Sequence, residues 1–293
     1  MILIPIIDVA VRVTEEIRLE QALKNAGIEN PASVTHLVVD GAMTRDDFEY
    51  IRENMGKTLQ TLDASKATMS RIPNFAFEGC TGLVSVIIPD TVEEIGLSAF
   101  RGCIGLRSFF IPAAVADPYR WLFCGLIDTF SGCSTLTTID VAPENAVYAS
   151  VDGVMFNKAK TELIKYPQGK QGAYIIPDDV RCIAKNAFNG CAGLTEVVIP
   201  NAVNYIGENA FEGCAGLTAV ELPGSVYKIG NRAFSGCSGL TSLDISRVKC
   251  MIGDCVFAGC SKLTSVDIPR RAFGYSAFSG CDALTTINIL KDV

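Results

Sequence analysis

The sequence predicts a repeat solenoid of the α+β class: a right-handed coil of short parallel strands and one-turn helices behind an N-terminal α/β cap. Three observations predict it. A unit of the form I-G-x-x-A-F-x-G-C-x-x-L-x-x-I-x-I-P-x-x-V recurs along most of the chain, with its clearest copies at Ile95–Val115, Ile206–Val226 and Ile229–Val248. Its phenylalanine falls at Phe77, Phe100, Phe130, Phe188, Phe211, Phe234, Phe257 and Phe278, in steps of 23, 30, 58, 23, 23, 23 and 21 residues. A fixed period of this length is the mark of a solenoid, and 58 reads as 23 plus a modified repeat of 35. Finally, 49% of the 293 residues are hydrophobic and 19% are charged, enough to bury a long core.

The elements follow in chain order. Residues 1–58 do not fit the repeat and read as a strand–helix–strand–helix cap. Thr14 with Glu15-Glu16, ending at Gly27, predicts a capped helix. Val34–Val39 predicts a strand, and Thr44 with Asp47 opens a second helix closed by Gly56. Such a unit covers the apolar end of the coils that fill 59–293. Within a coil, Leu83, Val86 and Ile88 take positions 1, 4 and 6 of a strand, so positions 3 and 5 face solvent. Pro89, Pro112, Pro200, Pro223 and Pro269 end that strand and turn a corner. The step x-x-V-x-x-I-G predicts a second short strand, and A-F-x-G-C one helical turn with Phe and Cys on a shared face. An insert at 113–126, around Asp117-Pro-Tyr-Arg-Trp-Leu-Phe123, breaks the period and holds the single Trp. The C-terminus stops just after a strand, so this end is masked by Lys291 and Asp292, paired with a partner, or truncated.

The signature Ile206-Gly-Glu-Asn-Ala-Phe-Glu-Gly-Cys214, followed by Leu217 and Leu222-Pro223, resembles the BspA-like leucine-rich repeats over roughly residues 59 to 290. The segment Tyr148 to Phe156 and on through Leu163-Ile-Lys-Tyr-Pro167 resembles a variant coil of that family, at 144–176, with a hairpin turn near Asn157–Lys160. The resemblance implies a bacterial secreted or cell-surface protein, extracellular in location, with an adhesive or recognition role. Its implied partner is a protein, of the host extracellular matrix or another surface protein.

Charge and chemistry exclude other classes. A net charge of −7 and a pI near 4.9 argue against nucleic acid or an anionic membrane as partner. No apolar run is long enough to span a bilayer. Met1 to Ala10 is apolar but short, without a positive n-region or cleavage site, which fits a trimmed secreted chain or an intracellular one. Eight of the 12 cysteines (Cys80, Cys103, Cys133, Cys191, Cys214, Cys237, Cys260, Cys281) share one repeat position. In register they stand with parallel side chains, which suits a ladder of buried thiols and not bridges. Cys124, Cys182, Cys250 and Cys255 lie off the ladder, and a local Cys250–Cys255 disulfide stays open. A zinc site from Cys250, Cys255 and Cys260 lacks ligand spacing. The single histidine, His36, sits inside a cap strand, and no nucleophile, phosphate-loop or zinc-protease motif is present. No enzyme and no cofactor are expected.

The outward strand positions are the candidate binding surface. Position 5 reads Ile87, Phe110, Asp140, Val198, Glu221, Asp244, Asp267, Asn288. Ile87 and Phe110 make an apolar spot beside the insert aromatics Tyr119, Trp121 and Phe123, a hot spot for a protein or a sugar unless the insert packs back on the coils. Glu221, Asp244 and Asp267 make an acidic column for a basic segment or a bridging calcium ion, set against a plain solvated face. An extracellular recognition module, an intracellular scaffold and a glycan-binding surface protein all remain open.

Overall fold

Each coil is built from two short strands joined by corners, as seen in a computed structural model that describes residues 7–116, 128–245, 247–248, 251–269 and 274–290. The chain forms two units, Met1–Asp152 and Gly153–Val293. In the first unit, the strands Asp8–Val13, His36–Ala42, Thr61–Thr68 and Ser85–Ile87 form one parallel sheet, and Ser108–Ile111 pairs in parallel with Thr138–Val141. In the second unit, Ala219–Glu221, Ser242–Asp244, Ser265–Pro269 and Thr286–Leu290 form a parallel sheet, with Gly172–Ile175 pairing Leu194–Val198. The second strands, Cys182–Ile183, Tyr205–Ile206, Lys228–Ile229 and Met251–Ile252, pair in parallel on the other sheet of the same coils. The expected hairpin is present: Val154–Asn157 runs antiparallel to Glu162–Lys165, and Asn157 Oδ1 accepts the Thr161 N–H at 2.8 Å to close the turn.

Two helices precede the coils, α1 (Leu19–Asn25) and α2 (Arg45–Asn54). Thr44 and Asp47 cap α2 as expected, with the Thr44 N–H donating to Asp47 Oδ2 at 2.8 Å. The first helix begins four residues later than the Thr14 signal implied. Thr14 Oγ1 accepts the Ile17 N–H at 3.0 Å and holds a separate turn. The start of α1 is satisfied from a distance instead: Asp47 Oδ1 accepts the Leu19 N–H at 2.9 Å, and Arg18 pairs with the same carboxylate. One buried carboxylate therefore ties both helix N-termini together, which the sequence spacing could not reveal. Phe48 of α2 meets the first coil phenylalanine, Phe77, edge to face at 5.4 Å.

The interior is two parallel rows. Phe77, Phe100 and Phe130 stack at 5.1 and 5.7 Å in the first unit. Phe188, Phe211, Phe234, Phe257 and Phe278 stack at 4.6 to 5.7 Å in the second. The cysteines run beside them as free thiols. Six of them donate Sγ–H to the carbonyl of the phenylalanine one coil earlier, as from Cys103 to Phe77 at 3.1 Å, Cys214 to Phe188 at 3.2 Å and Cys237 to Phe211 at 3.2 Å, and Cys191 donates to Tyr166 O at 3.7 Å. The same carbonyl also accepts the cysteine N–H of its own coil, as Phe211 O does from Cys214, so the small buried thiol of the next coil takes the second lone pair. The expected one-turn helices take the form of overlapping i→i−3 turns, such as Glu212 N–H to Asn209 O and Cys214 N–H to Phe211 O. The residue before Ala-Phe and the glycine after it both have positive φ, as at Asn209 (+54°) and Gly213 (+72°), which keeps the turn from continuing as a helix. Cys255 occupies the first of these corners, at φ +53°. It carries a free thiol, while Cys124 and Cys250 lie outside the described residues.

Asn145 holds the coil that follows the insert. It is fully buried, its Nδ2 donates to Pro112 O (2.9 Å) and Val115 O (2.8 Å), and its Oδ1 accepts from Val147 N–H (2.9 Å) and Tyr148 N–H (2.8 Å). All four of its hydrogen-bonding positions are used. Pro112 O keeps the Val115 N–H, so Asn145→Ala strands three backbone groups, and a loss of about 3 kcal/mol is expected in urea unfolding. A loss below about 0.5 kcal/mol would mean that water takes over those groups.

Candidate recognition surface

The strand face inherits its outward residues from the period-two alternation, and parallel register lines them up coil by coil about 5 Å apart. In the first unit the position-5 row runs Val38, Asp63, Ile87, Phe110, Asp140, with Val38 paired to Asp63, Asp63 to Ile87 and Phe110 to Asp140. The Arg107 N–H donates to Val84 O at 3.2 Å and joins the Ile87 and Phe110 coils. Ile87 is 51% exposed and Phe110 50% exposed. The structure thus places the two predicted apolar residues side by side in water, with a carboxylate on each flank.

In the second unit the row runs Ile175, Val198, Glu221, Asp244, Asp267, Asn288. Ile175 is 70% exposed and Val198 45% exposed, so an apolar pair again precedes carboxylates. Glu221, Asp244 and Asp267 are exposed and in register, as their spacing predicted. Their mutual repulsion is relieved at both ends. Arg247 lies 3.4 Å from Glu221, and Asn288 Nδ2 donates to Asp267 Oδ1 at 2.8 Å. A shallow groove of about 340 Å³ follows the three carboxylates, and one of about 700 Å³ lies between Val198, Glu196, Glu221 and Arg247. Among the described residues no three His, Cys, Asp or Glu side chains converge on a metal-sized space.

Threonines stiffen this face. Thr218 Oγ1 donates to Thr195 O, Thr241 to Thr218 O and Thr285 to Thr264 O, at 3.2 to 3.4 Å. Each outward residue therefore stands on a strand anchored to its neighbour.

Three members of the rows escaped the sequence reading: Val38, Asp63 and Ile175. The signal was present for two of them. Leu59, Leu62 and Ala64 repeat the 1, 4, 6 spacing around Asp63, and Tyr174-Ile-Ile-Pro177 repeats the strand-and-corner pattern around Ile175. The insert aromatics Tyr119, Trp121 and Phe123 lie outside the described residues. His36 is a half-exposed strand residue whose Nδ1 lies 3.1 Å from Asp8 Oδ1 and 3.0 Å from Thr35 Oγ1. No helix among the described residues is long and apolar enough to cross a membrane.

Comparison with known proteins agrees with this architecture. Residues 53–171 and 181–293 match the BspA type leucine rich repeat region, in 6 copies. Among solved structures, the chain is similar to a leucine rich cell surface protein from Faecalibacterium prausnitzii, at 25% identity and a TM-score of 0.64, over 90% of this chain and 75% of that one. It is also similar to a leucine-rich repeat protein from Eubacterium ventriosum (21% identity, TM-score 0.60, 85% and 78% covered). The pneumococcal vaccine antigen PcpA is a further likeness (24% identity, TM-score 0.63), of which the chain spans 62% while 87% of this chain is covered. No curated protein matches the sequence. Matched over most of its length by that repeat, the chain belongs to the BspA-type leucine-rich repeat family.

Proposed function

We propose that this chain is a non-enzymatic protein-recognition module of a secreted or cell-surface bacterial protein, gripping its partner with the outward strand face. One observation carries the reading: each unit sets a pair of large apolar side chains, Ile87 with Phe110 and Ile175 with Val198, in solvent on a rigid sheet with carboxylates next to it in the row. An exposed apolar pair costs free energy in the unbound state and returns it when covered, at roughly 25 cal/mol per Å² buried. The carboxylates around each pair favour a partner with apolar anchors beside basic residues, steering its approach and fixing its register. A row of carboxylates without convergence suits such a segment better than a chelated calcium ion. The surface location is supported by the family and by the cell surface protein of F. prausnitzii. Burial of the thiol ladder is compatible with it, because thiols sealed from solvent are shielded from oxidation.

The test is binding of the purified chain to a panel of immobilised host matrix proteins. Ile87→Asp with Phe110→Asp is expected to weaken a bound partner at least about thirtyfold. Asp244→Lys with Asp267→Lys is expected to slow association and flatten its salt dependence. Unchanged binding in both double variants, with circular dichroism intact, would remove the strand face from the function.

A further inference from the structure

The second unit carries another concave surface, on the sheet of second strands and apart from the face just described. Its floor is bare backbone. Ile206, Ile229 and Ile252 point inward in register, and each is followed by a glycine packed on the previous coil. A Cβ on Gly230 would stand 2.5 Å from the Glu208 nitrogen, and one on Gly274 2.5 Å from the Gly253 carbonyl carbon, so no side chain fills the floor. The residues after these glycines, Glu208, Asn231 and Asp254, form one wall. Asn231 Oδ1 accepts the Asp254 N–H (2.9 Å) and Asp254 Oδ1 accepts the Tyr275 N–H (2.7 Å), which fixes both planar groups. Asn231 Nδ2 and Asp254 Oδ2 are left for a ligand.

The other wall is aromatic. Tyr205 is half-buried, with Lys228 Nζ 5.6 Å from its ring centroid, and Tyr227 is 64% exposed. Backbone hydrogen bonds place Tyr227 in a row with Thr161, Arg181 and Asn204, all polar. The coil therefore asks for nothing aromatic there. Tyr275, 87% exposed, continues the wall of polar residues at its far end. The groove holds about 610 Å³ and is open to solvent.

We propose that this groove binds a neutral polysaccharide, one sugar ring lying against Tyr227. Flat aromatic faces cover the C–H faces of a pyranose, and rigid amide and carboxylate groups take its adjacent hydroxyls in pairs. Glu208 is already paired with Lys185 at 3.1 Å, and Lys228 offsets Asp254, so the groove has little net charge with which to choose a sulfated or uronic chain. Because the groove is open to solvent, a longer chain can extend beyond it. This site is independent of the strand face, and either could fail without the other.

Electrophoresis of the intact chain through native gels containing soluble starch, hydroxyethyl cellulose or mannan tests it, with heparin as the anionic probe. At least one neutral polymer is expected to retard the protein. Tyr227→Ala should weaken that retardation about tenfold, Tyr227→Phe should keep it, and Ile87→Asp with Phe110→Asp should leave it unchanged. The proposal is overturned if no neutral polymer retards the chain, if heparin alone does, or if folded Tyr227→Ala is retarded like the parent. Since Tyr227 is largely in solvent, its replacement leaves the coil intact, which circular dichroism checks.

Discussion

Raised from pH 8 to pH 11, the protein is expected to lose its coiled structure in one steep transition that begins just above pH 9. The thiol ladder is the cause. Burial pushes Cys80, Cys191 and Cys260 up to about 12, and it pushes Cys103, Cys214 and Cys237 up as well, with neighbouring ladder cysteines adding to the rise in these three. In an unfolded chain the same thiols ionise near 9. Below that pH both states keep their protons and the ladder is indifferent to pH. Between about 9 and 12 the unfolded chain releases protons that the folded chain holds, so stability falls as pH rises. Each buried thiol contributes about 1.4 kcal/mol per pH unit, and six together on the order of 8 kcal/mol, as much as the whole stability of an ordinary domain. Far-ultraviolet circular dichroism followed against pH under reducing conditions measures the transition, and thiolate absorbance should rise in step with it. A signal that stays flat through pH 10.5, or thiolates appearing while the coil persists, would refute this account.

The rows that generate that behaviour were legible because period and chemistry agree. Phenylalanine, cysteine and glycine recur at fixed spacing, and only a shared interior asks for that. Legibility failed where the geometry was kept and the residue types were changed. Tyr166 belongs to the aromatic row: its ring stacks on Phe188 at 4.9 Å, and its N–H donates to Ala187 O as that of Phe188 does to Ala210 O. Yet Ile164-Lys165-Tyr166-Pro167 shows none of the A-F-x-G-C signature, so the 58-residue gap divides as 36 and 22 instead of the 35 and 23 expected. Beside it Lys165 is buried, its Nζ donating to Asn186 O at 2.9 Å. Composition rules put lysine on the surface, and a carbonyl of the neighbouring coil, which no local pattern announces, helps to hold it inside. The binding face was half legible for a related reason. Alternation picked out Ile87, Phe110, Glu221, Asp244 and Asp267, since outward positions follow from inward ones. What such residues touch is set by a partner whose chemistry the repeat does not encode. The tyrosine groove lay further from view: Tyr205 and Tyr227 stand on different coils and meet only through register.

Position within the stack, and not residue type, should decide what a phenylalanine contributes. Phe211 is fully buried with rings on both sides, Phe188 at 4.6 Å and 11° and Phe234 at 4.9 Å and 4°. Phe211→Ala removes the ring from a site that cannot collapse, because the coil backbones on either side are locked by the strand ladders. A loss of about 4 to 5 kcal/mol is expected, the cavity and the two lost stacking contacts included. Phe278, in the last described coil, is only half-buried and stacks on Phe257 at 5.5 Å. Phe278→Ala should cost no more than about 2 kcal/mol, since part of that ring already meets water. In a solenoid each coil is coupled to its neighbours alone, so the central change should also weaken communication along the second unit. Amide exchange is then expected to quicken in the Phe188 and Phe234 coils of the Phe211→Ala protein and to stay slow there in the Phe278→Ala protein. Urea midpoints that fall equally in the two variants would show that stability is not carried by stacked neighbours, and the one-dimensional account of this fold would fail with them.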